Sequence, residues 1–149
     1  MIDVAQIRPT VFVGNAPQGA EDAAYLAALG VSAVLCLQTD DDLAQWGFRW
    51  SQVEAWHMQQ GIVARRLPIP DFSPEAIVAH MDEALAALGA LLKDGHTVYL
   101  HCSAGINRSP TIAVAHLVRT EGIPVAAALE VVMTARPVAR PYASALAAI

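Results

Sequence analysis

Short apolar runs, each ended by glycine, proline or charged residues, divide the chain into alternating candidate strands and helices. Runs rich in valine, leucine and alanine are typical of buried strands, and they predict strands at residues 11–13, 33–37, 63–69 and 98–100. Apolar residues at three- and four-residue spacing indicate helices. Helices are predicted at residues 21–29, 50–60, 74–92, 110–120 and 125–135, with a last helix opened by Pro141.

The alternation of strands and helices indicates the fold class. Strands separated by helices are typical of an α/β domain whose sheet is mostly parallel. We therefore expect a central, mostly parallel sheet of about five strands flanked by helices. A length of 149 residues suits one domain with a sizeable core. No linker or internal repeat interrupts the pattern, so residues 1–149 are expected to form a single domain.

Composition narrows the possible partners. The chain is 55% hydrophobic, yet no run approaches the roughly 20 apolar residues of a membrane span, so no membrane contact is expected. The net charge of −5 argues against a nucleic-acid partner, because phosphate backbones are bound by basic surfaces. Residues 1–5 do not resemble a signal peptide, and two cysteines make no disulfide framework. A reducing cytoplasm is therefore the expected location.

The candidate chemistry lies between the strand at residues 98–100 and the helix that follows it. This loop reads His-Cys-Ser-Ala-Gly-Ile-Asn-Arg-Ser over residues 101–109. Cys102 becomes a nucleophile once its thiol loses its proton, and the positive end of the helix dipole favours the thiolate. The backbone N–H groups of the loop can surround one anion. They belong to Ser103, Ala104, Gly105, Ile106 and Asn107.

Side chains at the end of the loop complete a candidate phosphate site. Arg108 offers a planar fork that can bind two phosphate oxygens, and Ser109 can donate a hydrogen bond to the Cys102 sulfur. Gly105 allows a backbone shape that is closed to residues with a side chain. The alternative is a structural cysteine beside an unrelated arginine. That alternative does not explain the ordered Cys, Gly, Arg and Ser between a strand and a helix.

This loop resembles the signature of the protein tyrosine phosphatase superfamily, which is His-Cys, five residues, Arg, then Ser or Thr. The match is complete at His101, Cys102, Arg108 and Ser109, whereas Asn107 departs from the more usual glycine or serine. The resemblance implies the cysteine-phosphatase fold, a cysteinyl-phosphate intermediate and no cofactor. It also implies that His101 orients the loop through hydrogen bonds.

Asp71 is the candidate general acid. The leaving oxygen of a phosphate ester needs a proton, and the superfamily carries an aspartate on the loop after the preceding strand. Asp71 stands there, although it could instead be an ordinary loop residue that caps a helix, a role that Ser73 fills better. Asp40, Asp41 and Asp42 also follow a strand and compete for the acid role. Their run is more typical of a solvated turn.

The resemblance covers nearly the whole chain and points to the dual-specificity group. Residues 136–141, Arg-Pro-Val-Ala-Arg-Pro, look like that group's Arg-Pro…Pro segment. The short chain lacks the elements that deepen the pocket of strict phosphotyrosine enzymes. Residues 30–40 and the pair Asp71-Phe72 also resemble the glucan-phosphatase branch, whose usual carbohydrate-binding module is not part of this sequence.

Cys36 is a candidate redox partner of Cys102. Reactive thiolates oxidise readily to sulfenic acid, and the predicted strands near Cys36 and Cys102 could end side by side in a parallel sheet. A disulfide needs Cα atoms within about 7 Å. The alternative, that Cys36 is a small buried hydrophobic residue, is slightly favoured, because a free cysteine is often just that.

The remaining candidates have ordinary explanations. The histidines outside the loop show no ligand spacing, so no metal is expected; they are His57, His80, His96 and His116. Aromatic residues could form a rim that stacks on a phenol or a sugar, although packing is favoured; they are Trp46, Phe48, Trp50 and Trp56. Three arginines could add positive potential near the site or be surface charges; they are Arg65, Arg66 and Arg140.

Together these features predict a phosphomonoester hydrolase that acts on phosphorylated proteins, at tyrosine and at serine or threonine, and releases inorganic phosphate. Three alternatives stay open: a non-protein substrate such as a phosphoglucan, a phosphoinositide or a nucleotide; a binding module without turnover; and a sulfur-transfer or arsenate-reducing enzyme. The joint presence of Cys102, Arg108 and Asp71 argues against the binding module. The position of Arg108, six residues after Cys102, argues against the last alternative.

Overall fold

Five strands form one sheet at the centre of the molecule. The computed structural model describes residues 1–149, and its strands are β1 (Val4–Arg8), β2 (Val11–Gly14), β3 (Ala33–Cys36), β4 (Val63–Arg66) and β5 (Val98–His101). Their order across the sheet is β1-β2-β5-β3-β4. β1 pairs antiparallel with β2, and every other pair is parallel. The prediction of a mostly parallel sheet of about five strands is confirmed.

Seven helices flank the sheet. They are α1 (Ala20–Ala28), α2 (Asp40–Gln45), α3 (Trp50–Gln59), α4 (Pro74–Lys93), α5 (Arg108–Glu121), α6 (Val125–Ala135) and α7 (Ala143–Leu146). α1 contacts α3, while α4 and α6 both pack against α5, and α7 packs against α4 and α5. No helix combines the length and the apolar character needed to cross a bilayer.

The residues of β5 alternate between two hydrophobic cores. Val98 and Leu100 belong to the larger core, which α4 to α7 cover, whereas Tyr99 belongs to the smaller core beside α1. All three side chains are fully buried. This is the two-residue period of a strand that is covered on both faces. Packing on both sides therefore fixes the strand from which the candidate loop departs.

Two strands differ from the sequence prediction. The pattern does not predict β1, because only Ala5 and Ile7 in it are buried, and two apolar positions make a weak signal. β1 forms through its antiparallel pairing with β2. β4 ends before Leu67 rather than at Ile69, since Pro68 has no N–H to donate. The backbone still follows β3 there, because the N–H groups of Leu67 and Ile69 bond carbonyls at its end.

The prediction of a solvated turn at residues 40–42 is wrong, because these residues form the first turn of α2. The Thr39 hydroxyl accepts the Asp42 backbone N–H at 3.1 Å, and the Asp42 carboxylate accepts the Thr39 backbone N–H at 2.9 Å. This reciprocal pair is a capping box, and acidic residues in a first turn also suit the helix dipole. The same bonds hold the Asp42 side chain in one position.

The carboxyl ends of three parallel strands meet at one edge of the sheet. Cys36 at the end of β3 pairs in register with Arg66 of β4 on one side and with His101 of β5 on the other. The segments that follow these strands carry Asp42, Asp71 and Cys102. Ligands of open parallel sheets bind at such an edge, so the candidate site lies here.

Candidate active site

Cys102 follows β5 directly and opens the loop that leads into α5. Its side chain is 2% exposed, and its sulfur lies 3.3 Å from the hydroxyl oxygen of Ser109 in the first turn of α5. A hydroxyl that donates to a sulfur stabilises its thiolate form. The start of α5 adds the positive end of a helix dipole at the same place. The fold thus brings together two side chains that the sequence assigned to one reaction.

Gly105 lies at the tightest point of the loop. Its φ angle is +68°, in the left-handed region that favours glycine. A Cβ atom there would lie 2.8 Å from the backbone nitrogen of Asn15 and closer still to the carbonyl group of Gly14. The loop therefore passes directly against the end of β2, and any side chain at Gly105 would push it away.

The carbonyl groups of the loop are bound from outside. The buried Arg136 donates from Nε to the carbonyl oxygen of Gly105 at 2.8 Å and from Nη2 to that of Ala104 at 3.0 Å. The Ser103 carbonyl accepts the Ala16 N–H at 2.9 Å. In a trans peptide the N–H points opposite to the C=O, so the N–H groups of the next residues point inward. These inward N–H groups form a nest for an anion.

Asn107 bonds a neighbouring segment rather than the inside of the loop. Its side-chain amide donates to the Arg140 carbonyl at 2.7 Å, and the Arg140 N–H donates to the Ile106 carbonyl at 2.7 Å. The residue that departs from the superfamily pattern thus fastens the loop to residues 136–141. The sequence carries no signal for this partner, because 33 positions separate Asn107 from Arg140.

His101 is buried behind the loop in its neutral form. Its Nδ1 lies 2.9 Å from the carbonyl oxygen of Cys102, and because a carbonyl only accepts, Nδ1 carries the proton. Burial lowers the pKa of His101 to about 3. Its ring stacks on that of Tyr99, with centroids 5.5 Å apart. His101 therefore holds the backbone of Cys102 and carries no charge at neutral pH.

Arg108 lies at the centre of the site, and its side chain is 1% exposed. Nη1 donates to the Asp42 carboxylate at 2.7 Å and to the Ile69 carbonyl at 2.9 Å. Nη2 lies 3.0 Å from the Asp71 carboxylate and donates to the Ser103 hydroxyl at 3.2 Å. Nε is buried and has no partner. The edge formed by Nε and Nη2 is thus the edge that a phosphate can bind as a fork.

Asp42 and Asp71 bind the same guanidinium from different environments. Burial raises the pKa of Asp42, but the hydrogen bonds from Arg108 and Thr39 outweigh it and hold that pKa below its ordinary value. The Asp42 side chain is 12% exposed and that of Asp71 is 24% exposed. The pKa of Arg108 is lowered by burial and raised more strongly by Asp42, Cys102 and Asp71, so it lies above its ordinary value.

Asp71 lies on the outer side of the site, next to an exposed aromatic ring. Its carboxylate accepts the backbone N–H of Phe72 at 2.9 Å. Phe72 has a φ angle of +58°, which is uncommon for a residue with a side chain, and it is 83% exposed. This backbone shape directs a large apolar ring into solvent beside the candidate acid.

Cys36 connects to the loop through a residue that sequence reasoning missed. The buried Gln38 accepts from the Cys36 thiol at 3.6 Å and donates to the Ser103 hydroxyl at 3.1 Å. Burial raises the pKa of Cys36 to about 12, so this thiol stays protonated at neutral pH. Cys36 and Cys102 are both free in the structure. An apolar run followed by one glutamine gives no sequence signal for this connection.

The other candidate side chains mostly bind one another. Arg66 pairs with Asp40 at 2.7 Å and lies over the ring of Trp50 at 5.3 Å. Phe48 and Trp56 pack edge to face, with centroids 4.9 Å apart. Arg65 and Arg140 donate to backbone carbonyls close to them in sequence, and Trp46 is partly exposed. None of these aromatic residues forms a hydrogen bond or a ring stack with the loop.

A cysteine and an arginine that bracket an anion nest between a parallel strand and a helix define the cysteine-dependent phosphatase class within the protein tyrosine phosphatase superfamily. The comparison with family models is more specific. Residues 11–149 match the model described as dual specificity phosphatase, catalytic domain. The chain belongs to this family.

Known proteins agree with that assignment. Human dual specificity phosphatase 28 is 30% identical over 139 residues, which are 93% of this chain and 70% of that protein. The amyloplastic phosphoglucan phosphatase DSP4 of Castanea sativa is 29% identical over 118 residues, 78% of this chain but only 32% of that protein. The solved structure of Tk-PTP in its active form superposes with a TM-score of 0.80 and 25% identity, covering 97% of this chain and 92% of Tk-PTP.

Proposed function

We propose that the chain hydrolyses phosphomonoesters in two steps through a cysteinyl-phosphate, and that its substrates are proteins phosphorylated on tyrosine and on serine or threonine. One observation carries this proposal. The loop that joins Cys102 to Arg108 has its Ser103, Ala104 and Gly105 carbonyls bound from outside, and the Nε of Arg108 is buried without a partner. These groups match a nucleophile and a fork of donors for a phosphate dianion.

In the first step the Cys102 thiolate attacks phosphorus, so that a sulfur–phosphorus bond forms as the ester oxygen leaves. Asp71 gives that oxygen a proton. In the second step Asp71 takes a proton from water, the water oxygen attacks phosphorus, and the sulfur leaves as a thiolate. Ser109 stabilises the departing sulfur, and Arg108 with the loop N–H groups stabilises the charge on the equatorial oxygens. Inorganic phosphate is released.

The surface around the site supports broad specificity. Asp71 is partly exposed and its neighbour Phe72 is 83% exposed, so the acid side of the site lies close to the surface. A phosphate held in a shallow site is reached both by the long side chain of phosphotyrosine and by the short ones of phosphoserine and phosphothreonine. Because Cys102 must remain a free thiol, we also propose a reducing compartment such as the cytoplasm.

A phosphoglucan is the second candidate substrate. The exposed ring of Phe72 beside Asp71 offers a flat apolar surface, and aromatic rings of this kind stack on the faces of sugars as well as on phenyl rings. One relative is named a phosphoglucan phosphatase. Phosphoinositides and a non-catalytic role in binding phosphorylated partners remain alternatives for the same loop.

The test compares kcat/KM on a small aryl phosphate, a phosphotyrosine peptide, a phosphothreonine peptide, phosphorylated amylopectin and a short-chain phosphoinositide. We expect turnover without added metal, an unchanged rate in EDTA, and activity on both peptides. Cys102→Ser should remove turnover and keep phosphate binding, and Arg108→Lys should be nearly as damaging because lysine has no fork. Activity confined to amylopectin would show that the substrate is a glucan rather than a protein. Absence of turnover on every substrate would show that the protein binds phosphate without hydrolysing it.

A further inference from the structure

Two carboxylates bind the Arg108 guanidinium, and each binds a different nitrogen of it. Asp42 binds Nη1 at 2.7 Å, and Asp71 binds Nη2 at 3.0 Å. Nη1 has its second proton on the Ile69 carbonyl at 2.9 Å, so both of its donors are used within the protein. Nη2 and the unpartnered Nε form the opposite edge. An incoming phosphate at this edge therefore competes with Asp71 and with the Ser103 hydroxyl, which accepts from Nη2 at 3.2 Å, and leaves the bond to Asp42 in place.

Asp42 is held in position independently of Arg108. The oxygen that binds Arg108 also accepts the Thr39 backbone N–H at 2.9 Å, and the Thr39 hydroxyl accepts the Asp42 backbone N–H. These bonds belong to the first turn of α2, which follows β3 directly. Asp71, by contrast, lies on a loop and is held only by Arg108 and by the N–H of the next residue. One carboxylate is thus fixed, and the other is free to leave.

We propose that Asp42 is a positioning residue for the reaction: it fixes the plane of the Arg108 guanidinium so that Nε and Nη2 face the phosphate. The inference rests on the proposed role of Arg108 as the phosphate ligand. A buried guanidinium needs a charged partner throughout the reaction, and Asp71 must leave Nη2 to protonate the ester oxygen. Asp42 is the partner that remains. It acts through Arg108 and touches neither the substrate nor the reacting atoms.

This role predicts a pattern that differs from that of a general acid. If the Arg108 guanidinium points in the wrong direction, its contacts to the phosphate group weaken. The loss of kcat/KM is then the same for every ester, because every ester carries that group. A displacement of about 1 Å at a reacting group costs roughly 100-fold in rate. Loss of the acid instead slows esters with poor leaving groups and spares those with good ones. The two aspartates can therefore be separated by the leaving group and by the affinity for an inert oxyanion.

The experiment measures tungstate binding by calorimetry and kcat/KM on p-nitrophenyl and phenyl phosphate. Asp42→Asn should weaken tungstate binding at least 10-fold and lower kcat/KM about 100-fold on both esters alike. Asp41→Asn is the matched control, since it removes the same charge from an exposed neighbour on α2, and it should change neither value. Asp71→Asn should keep tungstate binding and lose activity mainly on phenyl phosphate.

A further variant keeps the test decisive if Asp42→Asn does not fold. Thr39→Val keeps the Asp42 carboxylate and removes the hydroxyl that accepts the Asp42 backbone N–H, which loosens the first turn of α2. The same pattern of losses should then appear, but smaller. The proposal is overturned if Asp42→Asn behaves like Asp41→Asn, or if its loss falls on phenyl phosphate alone, in which case Asp42 is the acid. A wild-type protein without turnover refutes the proposed function, whereas tungstate binding still tests Asp42.

Discussion

The hydroxyl of Ser109 lies 3.3 Å from the sulfur of Cys102, although seven positions separate the two residues. The loop turns back between them, so the first turn of α5 faces the end of β5. Ser109 is fully buried there and Cys102 nearly so. The hydroxyl is therefore shielded from water and is positioned to donate to the sulfur whenever the sulfur carries negative charge.

Replacement of Ser109 should slow the second step of the reaction. In Ser109→Ala the sulfur leaves the cysteinyl-phosphate without a hydrogen bond, and loss of one such donor costs about 100-fold in kcat. Rapid mixing with an aryl phosphate should then show a burst of phenol followed by slow turnover. Ser51→Ala, on the exposed side of α3, serves as the control. A proportional loss in the burst rate itself would assign Ser109 to the first step.

Asp71→Asn should separate esters by their leaving groups. A phenolate of low basicity departs without a proton, whereas an alkoxide does not, so the loss should reach about 100-fold or more for an alkyl phosphate and stay small for an activated aryl ester. A series of aryl phosphates provides the measurement, as the slope of log kcat/KM against leaving-group pKa. An unchanged slope would remove Asp71 from the role of acid.

Gly105→Ala should abolish activity by displacing the loop. The added Cβ meets backbone atoms of Gly14 and Asn15, which cannot move aside as a side chain can. Gly122→Ala is a matched control, because Gly122 has a similar φ of +65° and open space around it at the end of α5. That variant should lose about 1 kcal/mol of stability, because alanine is strained in the left-handed conformation, and it should keep full activity. Tungstate affinity and thermal unfolding would report both effects.

Stability should fall as the pH is lowered from about 6.5 towards 4. Burial lowers the pKa of His57 to about 4 and that of His101 to about 3. In this window the unfolded chain binds protons that the folded protein does not, so each buried histidine contributes up to about 1.4 kcal/mol per pH unit. His57→Phe should reduce the slope of unfolding free energy against pH by about one proton.

Mild peroxide should inactivate the protein reversibly through a disulfide. Burial keeps Cys36 protonated, with a pKa of about 12, so Cys102 is the sulfur that peroxide oxidises to sulfenic acid. The Cys36 thiol then displaces water and forms the Cys36–Cys102 bond, which dithiothreitol reduces. Cys36→Ser should retain activity and lose recovery. Peptide mapping without a linked pair, together with equal recovery of both proteins, would show that Cys36 is only a buried thiol.

The sequence pattern predicts most of the strands and helices, because each is a local apolar repeat bounded by glycine or proline. The loop at residues 101–109 is also local, since its residues are contiguous and their order alone indicates the chemistry. β1 escapes prediction because its existence depends on β2, and α2 because its acidic first turn is stabilised by the cap at Thr39. A strand that depends on a neighbouring strand, or a helix that depends on its capping residue, has only a weak apolar pattern in its own sequence.

The support of the loop is harder to predict than the loop itself. Asp42 reaches Arg108 across 66 positions, and Gln38 reaches Ser103 across 65. Nothing in the spacing of such residues marks them, because their proximity follows from the order β5-β3 within the sheet. Arg136 belongs to the segment that resembles the dual-specificity group, but its contacts with the Ala104 and Gly105 carbonyls depend on where α6 ends. Tertiary structure decides each of these contacts.

Arg136 also donates from Nη1 to Asp3 at 3.3 Å, which joins residues 133 positions apart in the chain. Contacts of such long sequence separation form late, because closing a long loop is entropically costly. A chain still emerging from the ribosome, or one that has unfolded around residue 136, therefore holds Cys102 without the guanidinium that shapes its loop. We expect the loop of such a chain not to hold phosphate, so that reactivity towards phosphate esters appears only when folding is complete.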